Sequence, residues 1–172
     1  MSGKKPAAFS VTVLFAEREA HRRQEKEAEE TLVRRHQEEL KEFRKRLEDF
    51  RITDDFIESV QLRIKRAFER GESELMLVSF PSAFCSDSGR AIINAGEPPI
   101  VAPSKEEEAE AKDAEPDWLR TLPAGARPLY EFWKSELQPA GFGLSAQVIN
   151  YPHGMPGDVG LFFTWPKSPQ DV

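Results

Sequence analysis

The chain of 172 residues predicts a mixed α and β protein: a long charged amino-terminal helix, a possible coiled coil, followed by a small two-layer α-β-α-β-β sandwich of three or four strands. Three observations carry that expectation. Residues 16–50 contain neither Gly nor Pro and are mostly charged. Apolar runs of strand length stand at 73–80, 144–151 and 159–165, two of them joined by a turn rich in Pro and Gly. A helical apolar pattern precedes the first run, and another separates it from the last two.

Charge is unevenly divided. Residues 1–70 hold 17 Lys and Arg against 15 Asp and Glu, and the remainder holds 7 against 15. An acidic remainder repels a phosphate backbone, so no nucleic acid is expected as a partner. No apolar run reaches the roughly 18 residues of a membrane span, so no membrane partner is expected either. A single cysteine excludes an internal disulfide and suggests a reducing, cytoplasmic compartment. His21, His36 and His153 are far apart and no cysteine cluster accompanies them, so no metal or cofactor is expected.

The first fifteen residues read as an arm or an edge strand, because Val11, Val13 and Phe15 alternate with a period of two. The same segment has the basic start and short apolar stretch of a secretory leader. Ser10 and Thr12 within the stretch, and Leu14 where a small residue should stand, argue against cleavage. The extended helix is placed at 16–52. Acid-first pairs Glu19–Arg23, Glu30–Arg34 and Glu42–Arg46 support it at i, i+4. Val33, His36, Leu40, Phe43, Leu47 and Phe50 recur at spacings of 3, 4, 3, 4 and 3, which is a heptad seam. The basic run 43–51 is interleaved with acids and reads as the solvated flank of that seam.

The small domain is placed at 53–172. Thr53 caps a second helix, Asp54 and Asp55 suit its first turn, and Gly71 closes it. Phe56, Ile57, Val60, Ile64, Ala67 and Phe68 give it a wide apolar face that should lie on a sheet. The cap implies a break in what would otherwise be one rod over 16–70. Residues 97–117, rich in Pro, Glu and Ala, read as a mobile acidic linker. A further helix carries Pro128 in its first turn and stops near Gln138-Pro139. Tyr130, Trp133 and Trp165 have the spacing of core aromatics rather than of a partner groove.

Two loops hold the candidate chemistry. In 80–96, Cys85 and Arg90 stand around small polar residues after a strand. This resembles the phosphate loop of protein tyrosine phosphatases and arsenate reductases, but four residues separate Cys from Arg where that loop has five. The phosphatase function is therefore not carried over. Ser86, Ser88, Gly89 and Arg90 remain candidates for holding an anion, against the simpler reading of a capped turn with Cys85 buried as a small hydrophobe. In 150–158, His153 and Asp158 are candidate base and orienter for Cys85 if the fold gathers them, against the simpler reading of a Pro/Gly turn.

The sequence thus points to a non-enzymatic interaction or adaptor protein. Its partner, another protein or a second copy, would be held by Val33, Leu40, Phe43, Leu47 and Phe50. The alternative is a small-ligand sensor or small enzyme built on loop 80–96 with His153.

Overall fold

A computed structural model describes residues 8–97 and 100–171 and divides the chain into two compact units, Met1–Phe43 and Arg44–Val172. Helix α1 (Val11–Glu48) runs for 38 residues, about 57 Å at 1.5 Å per residue, and buries none of them. It absorbs the expected edge strand at 11–15. Ser10 is the reason: its Oγ accepts the Val13 amide at 3.2 Å and its carbonyl accepts the Leu14 amide at 3.0 Å. A capped first turn satisfies amides that an unpaired strand would leave open, and that outweighs three residues of alternation. Exposed ion pairs punctuate the helix, Glu19–Arg22 at 3.7 Å, His21–Glu25 at 3.2 Å and Arg44–Glu48 at 3.3 Å.

The rod breaks at 49–53. Thr53 is extended, its side chain accepts the Phe56 amide at 3.2 Å, and α2 (Asp54–Glu69) follows with Asp54 and Asp55 in its first turn. Its end is a Schellman turn: Gly71, at φ 78°, donates to the Phe68 carbonyl and Glu72 donates to that of Ala67, each at 3.0 Å. Both ends are therefore where the capping residues put them.

Three strands follow, β1 (Glu74–Pro81), β2 (Gly143–Val148) and β3 (Asp158–Thr164), in the order β1-β3-β2 with both pairings antiparallel. β1 and β2 therefore run the same way with β3 inserted between them, a split arrangement whose long connection carries the remaining helices. The continuous apolar character of β3 has its cause here. As the central strand it is buried at every residue from Val159 to Phe163, whereas β2 at the edge is only half-buried at Leu144, Ala146 and Val148. β1 takes a bulge between Met76 and Val78, after which Val78 and Phe80 oppose Leu161 and Val159.

The connection from β1 to β2 holds α3 (Arg90–Gly96), α4 (Lys105–Asp113) and α5 (Ala126–Phe132). Of the mobile linker expected at 97–117, residues 98 and 99 lie outside the described residues and Lys105–Asp113 form α4. Ser104 and Glu107 form a reciprocal capping box that starts α4, and three glutamates sit in its first turn. Its far end is tied down. Lys134 donates to the Asp113 carbonyl at 2.7 Å, Gln138 to that of Lys112 at 3.3 Å, and Glu115 makes a two-pronged pair with Arg127 at 2.7 and 3.0 Å. Composition measured the lack of bulky residues but not these end contacts. α5 then passes directly into a π-turn at Trp133–Leu137, closed by the Gln138 amide on the Trp133 carbonyl at 2.7 Å.

The core of the second unit gathers Val60, Ile64 and Ala67 of α2, Phe80, Ile92, Trp118, Leu119, Leu129, Tyr130 and the run Val159–Phe163. The indoles of Trp133 and Trp165 donate to the carbonyls of Phe142 and Glu72 at 3.0 and 2.9 Å, which lets large amphipathic rings enter it. Leu47 and Phe50 also belong to this unit. They border a void of only about 40 Å³ with Val78, Phe80, Leu129 and Leu161, and the Phe50 ring meets Phe56 edge-on at 5.0 Å. Gly125 approaches the Leu47 carbonyl so closely that an added Cβ would strike its oxygen, and would stand 2.8 Å from the Phe50 Cβ. Gly125→Ala should therefore destabilise the domain by about 1–3 kcal/mol, the usual cost of overpacking. Urea denaturation with an unchanged m-value checks it, and a midpoint equal to that of the natural chain refutes it.

Candidate functional site

The two candidate loops do meet at one end of the sheet. Pro81 pairs with Asp158, and Ser82 reaches across with its Oγ donating to the Pro156 carbonyl at 2.9 Å and its amide to that of Gly157 at 2.8 Å. Their chemistry is nevertheless spent locally. Asp87 fills the concavity of loop 80–96: its two carboxylate oxygens accept the amides of Gly89 at 3.0 Å and Ala91 at 2.7 Å. Those are the donors an external anion would need, so a fixed internal carboxylate stands where the anion was expected. Ser88 and Gly89 take positive φ, 58° and 86°, to make the turn around it. The side chains of Ser86, Ser88 and Arg90 are exposed.

Cys85 is 4% exposed, its amide on the Ser82 carbonyl at 3.0 Å and the next amide, Ser86, on the Thr121 carbonyl at 2.8 Å. Burial pushes its thiol up to about 11, the Asp87 carboxylate adds to the shift, and a hydrogen bond with Thr121 offsets part of it. A nucleophilic cysteine needs the opposite environment. His153, at φ 53°, is exposed in the turn between β2 and β3. Asp158 is engaged with Asn150, whose Nδ2 donates to its carboxylate at 3.0 Å and whose Oδ1 accepts its amide at 2.8 Å. That pair closes the hairpin. None of the three candidates is hydrogen-bonded to another.

The expected partner seam divides. Val33 is 51% exposed, Leu40 and Phe43 are half-exposed, and Leu47 and Phe50 are taken into the second unit as described above. Further apolar exposure on α1 lies outside the expected seam, at Val11 (68%), Phe15 (53%) and Leu32 (63%).

One feature of the second unit was missed from the sequence, an open apolar groove of about 940 Å³. Ile57 and Phe68 of α2, the π-turn at Leu137, and Phe142 and Trp165 form its walls, with Lys65, Lys167 and Glu136 also on its lining. A signal existed. The apolar face of α2 was wider than one sheet contact requires, and Phe68 at its edge is 65% exposed. Among the described residues no group of three His, Cys, Asp or Glu side chains converges to hold a metal ion, and no helix is long and apolar enough to cross a membrane.

No protein-family model, no curated protein and no solved structure matches the chain.

The buried thiol gives a direct check. Cys85 should react with a thiol reagent at pH 8 at least about 100-fold more slowly in the folded chain than in urea. Comparable rates would mean the thiol is accessible. Because its folded pKa lies above the ordinary value of 9.0, the stability it confers is complete below about pH 9 and is lost as pH rises toward about 11. The difference in stability between the natural chain and Cys85→Ala should shrink over that interval.

Proposed function

We propose that the chain is a non-enzymatic interaction protein in which the exposed part of α1 is the recognition element and the α+β unit is its folded anchor. The observation that supports this reading is a 38-residue helix with no buried residue that nonetheless presents Val11, Phe15, Leu32 and Val33 to solvent. Helices draw most of their stability from packing an apolar face, and isolated ones gain little from exposed apolar side chains. Capture of a second macromolecule would supply the missing burial. Leu47 and Phe50 are satisfied within their own unit, so the recognition surface lies upstream of them. The state of Cys85 and Asp87 supports a structural role for loop 80–96 rather than catalysis or anion sensing.

The test is capture with the full-length chain and with Leu32→Glu/Val33→Glu, both at exposed positions. The variant should keep the thermal midpoint of the natural chain and lose at least about 90% of any stoichiometric partner, consistent with two apolar anchors made charged. Undiminished capture by the variant would remove α1 from the recognition surface.

The apolar groove supports a second reading, a site for a small amphipathic ligand with an apolar body and an anionic end matched to Lys65 and Lys167. Trp165 lines it, so titration with a medium-chain carboxylate should change tryptophan emission saturably, and Phe68→Asp should abolish the change. A flat titration in the natural chain excludes this class of ligand.

A further inference from the structure

The geometry points to a second copy of this chain as the occupant of the exposed α1 surface, paired antiparallel over residues 11–36. This rests on the reading of α1 as the recognition element and names its partner.

The upstream part of α1 keeps a register distinct from that of the downstream apolar residues. Val11, Phe15, Arg18, Arg22, Glu25, Glu29, Leu32 and His36 follow one another at spacings of 4, 3, 4, 3, 4, 3 and 4, all within the unbroken helix and all exposed. That is the alternation of d and a positions in a heptad, so these eight side chains make one stripe. The stripe is apolar at both ends and charged in the middle, with two arginines followed by two glutamates.

Antiparallel two-stranded packing sets each a position opposite a d position of the other helix. With the dyad between Arg23 and Gln24, Phe15 of one copy meets Leu32 of the other and Val11 meets His36. Arg18 meets Glu29 and Arg22 meets Glu25. Each apolar residue at the ends finds a side chain with apolar surface, and each charge in the middle finds its opposite. At the flanking e positions Glu19 comes beside Lys26 of the second copy, again opposite in sign. No insertion or slip is needed to obtain all five matches.

The parallel alternative fails on the same residues. It would stack Arg18 on Arg18, Arg22 on Arg22, Glu25 on Glu25 and Glu29 on Glu29, four like-charge layers in succession. Like charges held face to face exclude a pairing more firmly than opposite charges reward one, because the desolvation of each ion is then uncompensated. Charge order along the stripe thus selects both the partner and its direction. In the single chain the Arg18 guanidinium lies over the Phe15 ring at 4.9 Å, Arg22 pairs with Glu19 at 3.7 Å and Glu25 with His21 at 3.2 Å, exposed pairs that cost little to exchange for partners on a second copy. A dimer with four ionic layers is weak and salt-sensitive, as suits a reversible association.

The test uses the full chain. Sedimentation equilibrium at 10–500 μM should show a monomer–dimer equilibrium, with a dissociation constant on the order of tens of micromolar at 0.1 M NaCl, rising at least about 10-fold at 1 M. Arg18→Glu/Arg22→Glu makes all four central layers acidic and should weaken the dimer at least about 100-fold. Adding Glu25→Arg/Glu29→Arg to that variant reverses every pair and should restore the dimer, which excludes misfolding as the cause of the loss. Direction is read by mixing Phe15→Cys and Leu32→Cys chains under mild oxidation and mapping the disulfide peptides. The 15–32 disulfide is expected. A monomer at every concentration, a dimer indifferent to Arg18→Glu/Arg22→Glu, or dominance of 15–15 and 32–32 disulfides would each overturn the antiparallel pairing. A monomer that still loses a captured partner through Leu32→Glu/Val33→Glu would overturn self-pairing alone and leave α1 as a surface for a different protein.

Discussion

The second unit depends on the placement of β3 between two strands that precede it in the chain. A central strand must bury both its faces, and Val159 to Phe163 are all buried. Because β1 and β2 both pair with β3 and not with each other, neither has a complete ladder until the last strand arrives. The long connection between β1 and β2 is the corollary: it must return the chain to the starting end of the sheet, and it uses the three helices α3, α4 and α5 to do so. The end of β1 and the start of β3 are paired at Pro81 and Asp158, so loop 80–96 and the turn before β3 are neighbours by register alone.

Proximity of that kind does not make a site. The loop amides, the Asp158 carboxylate and the Asn150 amide group are all satisfied within the protein, and a group that has its partner offers a ligand only an exchange of equal bonds. Asp87 is the decisive residue. Had a serine alone held that place, the turn would have kept free amide donors, but a carboxylate supplies both the hydrogen bonds and the negative charge. The same carboxylate, beside a buried thiol, further disfavours the thiolate. One aspartate therefore accounts for the shape of the turn and the start of α3, and it adds to the burial that raises the Cys85 thiol.

Local rules were legible wherever a residue acts on its own backbone. Thr53, Gly71 and the Pro/Gly turn before β3 mark element ends through dihedral preference or a single hydrogen bond, and those ends fall where the sequence places them. The apolar run at 159–165 likewise marked a strand, and its burial at every residue from Val159 to Phe163 follows from the central place it takes in the sheet. What could not be read was set by contacts distant in sequence. α4 and the segment after it hold position through Arg127, Lys134 and Gln138, residues more than ten positions away, so composition alone suggested mobility. The groove beside α2 requires Trp165 and Leu137 to meet Phe68, and no periodicity within α2 contains that information. At 11–15 the failure was of a different kind. Three alternating apolar residues fit a strand and the first turns of a helix equally well, and Ser10, one position outside the pattern, decides between them.

Helix α1 shows how a single count of periodicity can hide a division of labour. The apolar residues Val33, His36, Leu40, Phe43, Leu47 and Phe50 keep one heptad phase, and Val11 to His36 keep another. The two are offset because Glu29 and Val33 hold equivalent positions only four residues apart, a stutter. A search for apolar heptads finds the downstream phase, since the upstream one has charges at half its seam. Yet the downstream phase ends in Leu47 and Phe50, which the second unit uses for its own packing. The downstream phase thus runs from the exposed Val33 into Leu47 and Phe50, which complete the second unit, while the upstream stripe from Val11 to Leu32 remains exposed. In the proposed antiparallel pairing, the sign order of the charges, invisible to any hydropathy measure, is what would carry direction and selectivity.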